Sequence, residues 1–220
     1  MHPFLSLLFP NCCAICHLRQ DQTICHICLQ KLKQQINSRK CILCACLCNT
    51  LLCKYCLHAK PAFDQTITLC YETSFLISLI RRCDLRGSIF VLPSIYKAWE
   101  VINFRNMTPV DIIIPLPEKS LISQKRGFWF ALELTKYFSQ LAKTPYNKDL
   151  IIWKDKNPSL FELNNKFARS FFFHNKRVAI VMPYFLSEMV LNNLAKLLKA
   201  YGVLWVSYWV LTKNSKKEFY

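Results

Sequence analysis

The chain has 220 residues, 53% of them apolar, with 29 Lys and Arg against 13 Asp and Glu for a formal charge of +16. That is enough apolar material for one or two cored domains, and it excludes a disordered chain. Only 3 residues are glycine, about 1.4% against a typical ~7%. Gly87, Gly127 and Gly202 stand singly, so no intact P-loop or GxGxxG cradle exists, because those loops need clustered glycines to bring backbone N–H groups up to phosphate. The basic surplus favours polyanionic partners such as nucleic acid or phosphates. Phe4–Phe9 is apolar but short and lacks a basic flank, and Val203–Leu211 is about half a membrane span. A cytoplasmic protein with no membrane insertion is expected.

Eleven of the 13 cysteines lie between Cys12 and Cys56. They form an internal repeat. Cys13, Cys16, Cys25 and Cys28 recur as Cys41, Cys44, Cys53 and Cys56 at an offset of 28, so the unit C-x2-C-x8-C-x2-C occurs twice. A C-x2-C knuckle aims two thiolates at one centre, and two facing knuckles supply the four-sulfur tetrahedron that zinc prefers. The spacing predicts two structural zinc ions in two ribbons, with a short hairpin over each eight-residue spacer. Disulfides would require an oxidising compartment and give no reason for the doubled spacing. Cys12, Cys46 and Cys48 are spare thiols that could replace a ligand. His17, His26 and His58 read as surface residues, and Cys70 and Cys83 as buried small hydrophobes. Eight thiolates and two zinc dications contribute about −4, so the holo protein keeps about +12.

Lys60-Pro61 marks a boundary, giving residues 1–60 and 61–220 as two domains. Beyond it the chain alternates strand and helix. Gln65–Tyr71 reads as a strand. Ser74 is placed to cap a helix through Cys83, with Leu76, Leu79 and Ile80 on one face, broken at Leu85-Arg86-Gly87. Asp111–Leu116 is an apolar run suited to a strand buried on both faces, ended by Pro115 and Pro117. Phe128, Leu132, Phe138 and Leu141 recur at helical spacing, and Leu150–Trp153 is a short strand. Val178–Met182 is a strand stopped by Pro183. Leu191, Leu194, Ala195 and Leu198 line a helix, Gly202 ends it, and Val203–Leu211 is a second buried strand. Strand, helix, strand over ~35 residues is a βαβ unit, and its repetition predicts an α/β fold with a mainly parallel sheet. Ligands of such sheets bind beyond the carboxyl ends of the strands, which directs attention to Pro115–Gly127 and Met182–Met189.

In this order the motifs resemble the ComF/ComFC (GntX-like) family, from Leu7 to about Thr212. The resemblance rests on Leu7-Leu8-Phe9-Pro10, the eight knuckle cysteines, Phe63-Asp64, Tyr71-Glu72 through Leu85-Arg86-Gly87, Asp111–Pro117 and Arg126-Gly127-Phe128. It implies a double zinc ribbon followed by a type I phosphoribosyltransferase-like sheet with flanking helices. It also implies a competence role in the cytoplasm, acting on or near single-stranded DNA beside an uptake protein such as a helicase.

The chain departs from that family where a phosphoribosyl ligand would bind. The two acidic residues expected to hold ribose hydroxyls are Met182 and Pro183 here, and the Thr-Thr-Gly phosphate cradle is Leu186-Ser187-Glu188. Glu188 would set negative charge beside a 5-phosphate, worth about 4 kcal/mol per unit-charge pair at ~4 Å and a dielectric of ~20. Pro183 also removes an N–H donor. Tyr184, Phe185 and Met189 are expected to fill the loop's mouth. This degenerate loop predicts no transferase activity, no catalytic residue and no magnesium. Arg81, Arg82, Arg86, Lys125 and Arg126 are candidate contacts for nucleic acid or phosphate, with Lys31, Lys33, Arg39 and Lys40 as a further basic segment. Three readings stay open: a nucleic-acid accessory protein, an active phosphoribosyltransferase on an unknown base or nucleotide, and a zinc-stabilised protein-interaction module.

Overall fold

The computed structural model describes residues 12–20, 22–36, 39–72, 74–103, 107–118, 120–153, 161–164 and 173–214. Leu7–Pro10 lies outside them. The core is a four-stranded sheet in the order β1-β6-β5-β2, formed by β1 (Gln65–Tyr71), β2 (Ile112–Pro115), β5 (Arg177–Tyr184) and β6 (Trp205–Lys213). Every pairing in it is parallel. The long apolar runs of β5 and β6 occupy the centre, where a strand must bury both faces.

Side-chain alternation sorts the strands onto two cores. On one face Ile67, Leu69, Ile113, Ala179, Val181, Trp209 and Leu211 meet helices α3 (Ile77–Arg86), α4 (Leu92–Asn103) and α6 (Phe130–Ala142). On the other, Ile112, Ile114, Val178, Ile180, Met182, Val206, Tyr208 and Val210 meet α7 (Glu188–Ala200) and a separate antiparallel hairpin of β3 (Ile151–Trp153) and β4 (Phe161–Leu163). Leu191, Leu194, Ala195 and Leu198 are the buried stripe of α7.

Each cysteine unit joins a different face. Cys13, Ile24, Cys25, Cys28 and Leu32 of the first unit, with its helix α1 (His26–Ile36), belong to the first core. Cys41, Cys44, Cys53 and Cys56 of the second, with its helix α2 (Lys54–Ala59), belong to the second core. Phe63 packs edge-on against Tyr208 with centroids 5.3 Å apart. Asp64 accepts from the Val206 amide at 2.8 Å and pairs with Lys199 at 2.9 Å. The segment after the cysteine units is thereby fixed to the sheet.

Several expected boundaries move. The helix expected from Ser74 starts at Ile77 and runs to Arg86, with no side-chain cap; the Ser74 hydroxyl accepts instead from the Leu76 amide in the preceding turn. The α6 stripe is Phe130, Leu134 and Phe138, with Leu132 only half-buried. Pro183 does not stop β5, which continues to Tyr184. The carbonyls of Arg177 and Val181 serve β2, so by alternation Pro183 also faces that side. The pairing with β2 ends at Pro115–Val181, so the missing N–H has no ladder partner to lose. Pro115 is the last residue of β2, where the strand was expected to end.

Candidate functional site

The sequence repeat is a repeat of backbone geometry. The Cys13 amide donates to the Leu18 carbonyl and the Cys41 amide to the Cys46 carbonyl, both at 2.9 Å. His17 and Ala45, 28 positions apart, both take left-handed φ, 60° and 56°. The expected spacer hairpin is instead one antiparallel bridge flanking the first knuckle of each unit, Cys12–Arg19 and Lys40–Leu47. The second knuckle opens a helix: the Cys28 amide donates to the Cys25 sulfur and the Cys56 amide to the Cys53 sulfur, each at 3.4 Å. N–H groups at a helix start favour the thiolate form that metal binding needs.

Within each set the four sulfurs lie within 4.8 Å of one another. Cys16–Cys25 and Cys44–Cys53 Sγ–Sγ distances are both 3.7 Å. A tetrahedron with metal–sulfur bonds of about 2.3 Å has edges of about 3.8 Å, so the donor sets fit a four-thiolate metal centre. His17, His26 and His58 are exposed and outside both sets.

The second unit covers part of the carboxyl edge of the sheet. Buried Lys213, the last residue of β6, donates from Nζ to the Cys44 carbonyl at 2.8 Å and pairs with Glu188 at 3.0 Å. Its ammonium also sits 3.5 Å from the Phe185 ring centroid. Tyr71, the last residue of β1, donates to the Ala45 carbonyl at 2.7 Å. Between β5 and α7, Met182 is fully buried, Leu186 half-buried and Ser187 exposed. The Ser187 hydroxyl caps α7 by accepting from the Val190 amide. Phe185 packs onto the second core and Tyr184 onto the first. Met189 is 66% exposed and does not fill the mouth of this loop, contrary to expectation.

The five candidate basic residues divide. Arg81, Arg82 and Arg86 are exposed on α3 and line a shallow groove of about 300 Å³ with Ser78 and Leu85. Lys125 is exposed on α5 (Ser120–Arg126), a helix inside the stretch expected to be loop. Arg126 is different. Its side chain is 6% exposed, and its guanidinium donates to the Asp84 carboxylate, to the Asp84 carbonyl at 2.9 Å and to Glu118 at 2.6 Å. Its donors are spent internally, so it is corrected from a polyanion contact to a structural cation. Lys31, Lys33 and Arg39 are exposed.

No protein-family model matches the chain, and no curated protein matches it. Among solved structures it is similar to a purine phosphoribosyltransferase from Pyrococcus horikoshii, at 11% identity and a TM-score of 0.35, over 59% of this chain and 87% of that one.

Sequence reasoning passed over two groups. Phe90 is 91% exposed and Leu85 77% exposed beside the α3 arginines; each reads as a core residue by type alone. Lys213 had a local signal, a lysine closing an apolar strand.

Proposed function

We propose that the chain is a ComF-like accessory protein that holds two zinc ions and handles single-stranded nucleic acid in the cytoplasm without phosphoribosyltransferase activity. Residues 1–60 form its zinc-binding part and 61–220 a phosphoribosyltransferase-type α/β part. Zinc is favoured by two four-thiolate sets, each built from a pair of facing C-x2-C knuckles as in structural zinc sites. Metal analysis of protein purified under reducing conditions tests this; iron or no metal refutes it.

The nucleic-acid role rests on one observation. Arg81, Arg82 and Arg86 line one groove with Leu85 on α3, Phe90 stands 91% exposed in the short turn that follows this helix, and among the described residues no hydrogen bond or ion pair uses the three guanidinium groups. Cations beside an exposed ring are the combination that tracks a phosphate backbone while stacking bases. Anisotropy titration with a single-stranded oligonucleotide across salt concentrations tests it. Three phosphate contacts contribute about 2 to the slope of log K against log salt, so Arg81→Ala/Arg82→Ala/Arg86→Ala should lower the slope by that amount. An unchanged slope refutes the assignment.

The same exposed Phe90 and Leu85 support a second reading, a docking face for an uptake protein such as a helicase. Phe90→Ala separates the two: under the nucleic-acid reading it weakens oligonucleotide binding and leaves the salt slope alone.

A further inference from the structure

The two cysteine sets share one geometry but not one environment. Of their eight sulfur donors, Cys16 alone is exposed. Its counterpart at the offset of 28, Cys44, is 1% exposed. The difference lies in what stands over the first knuckle of each unit. In the second unit the carboxyl edge of the sheet covers it: Lys213 donates to the Cys44 carbonyl at 2.8 Å and Tyr71 to the Ala45 carbonyl at 2.7 Å. In the first unit the same turn, Cys16-His17-Leu18-Arg19, faces solvent. The other three donors of that unit, Cys13, Cys25 and Cys28, are buried in the first core.

A thiolate is both metal ligand and nucleophile, and ligation keeps it deprotonated at neutral pH. An exposed ligand is therefore a reactive sulfur that a dissolved reagent reaches directly. A buried ligand reacts only when the structure opens locally. We infer that Cys16 is a modification site for soft, thiol-directed electrophiles, and that its modification opens the first centre and releases one metal ion while the second centre stays closed. The inference rests on the zinc reading of both centres.

With a haloacetamide the step balances without an oxidant. The Cys16 sulfur bonds to the reagent's methylene carbon, and halide leaves with the carbon–halogen electron pair. The uncharged thioether then gives up its bond to the metal. Three thiolates remain where a closed structural site needs four donors, and a chelator completes the removal. The neighbouring Cys12 does not offer the same outcome. It too is exposed, but it stands outside the four-sulfur set, so its modification takes no ligand from the metal.

Zinc release from full-length, zinc-loaded protein tests the inference. Iodoacetamide is added beside a chromogenic chelator, and alkylated residues are located by peptide mass analysis. The protein should start with about two equivalents of zinc. One should leave in step with alkylation of Cys16, and the other at least about ten-fold more slowly, because attack on its ligands waits for local opening. Cys12→Ser should leave both phases unchanged.

Release of both equivalents at one rate overturns the inference, as does a fast phase that follows alkylation of any other ligand. Alkylation of Cys16 with both zinc ions retained overturns it too. Loss of the fast phase in Cys12→Ser does the same, by moving the attack to that thiol. A protein that holds fewer than two equivalents before treatment refutes the underlying zinc reading instead.

Discussion

Arg126→Met tests whether the one buried arginine among the basic clusters is structural. The substitution keeps much of the apolar stem and removes the charge. It leaves Asp84 and Glu118, each with a side chain only 17% exposed, without their shared cation. An exposed ion pair is worth less than about 1 kcal/mol. Removing one partner of a buried pair costs about 3–5 kcal/mol, because the remaining charge is stranded. Residual exposure of the two carboxylates puts the expected loss near the lower end, about 3 kcal/mol. For a chain of this size that lowers the thermal midpoint by about 6–12 °C. Thermal unfolding followed by circular dichroism on zinc-loaded protein reads it. Arg126→Met/Asp84→Asn/Glu118→Gln should recover much of the loss, since no charge is then stranded. A loss below about 1 kcal/mol would show the guanidinium to be solvated after all, and would return it to the polyanion-binding face.

Two more outcomes are expected from the same region and its core. Gly87 ends α3 at φ +61°, and a Cβ there would meet the Arg126 carbonyl oxygen at 2.6 Å, so Gly87→Ala should cost about 2 kcal/mol or more in urea unfolding; a neutral variant refutes the packing argument. Burial pushes the Cys70 and Cys83 thiols up from 9.0 to about 12. The folded chain holds those protons more tightly than the unfolded chain, so their contribution is complete below pH 9 and falls above it by about 1.4 kcal/mol per pH unit per thiol. A flat stability profile from about pH 9 to 11 counts against that burial.

The central βαβ unit was legible because its signals are local. An apolar β-branched run such as Val178–Val181 has no alternative to burial, and the 3.6-residue stripe of α7 is complete in its own sequence. β1 was read with the bounds it has. The elements missed fall into two kinds. α4 carries Ile95, Trp99 and Ile102 at helical spacing, and Pro93 sits in its first turn where proline is tolerated; that signal was present and passed over. β4 has 3 residues and exists through its pairing with β3, so nothing in its own sequence announces it. The knuckle spacing gave the eight cysteines but not their support, because Lys213 reaches Cys44 across 169 positions. Arg126 was misread for a related reason. A solvated arginine and a paired one look alike in sequence, and Asp84 is 42 positions away.

What stands at the carboxyl edge bears on whether the protein takes phosphoribosyl pyrophosphate. The 13-residue α7 begins at Glu188, and a helix start carries about half a positive charge suited to an anion. Lys213 adds a buried cation at the same place. Both attractions are met from within by the Glu188 carboxylate, while Lys213 is also committed to the Cys44 carbonyl. A phosphate arriving there must separate Glu188 from Lys213 and then face the displaced carboxylate, so its entry exchanges one anion for another with a repulsion added. Met182 and Pro183 offer no carboxylate for ribose hydroxyls in return. Calorimetry with the pyrophosphate and magnesium should therefore give no saturable heat in wild type. Glu188→Gln leaves the buried ammonium and the helix start without their internal anion, so it should bind inorganic phosphate or sulfate more tightly than wild type does. Saturable micromolar binding of the pyrophosphate by the unmodified protein would defeat this account, because it would require Glu188 to leave Lys213 at a cost the ligand could not recover by charge alone.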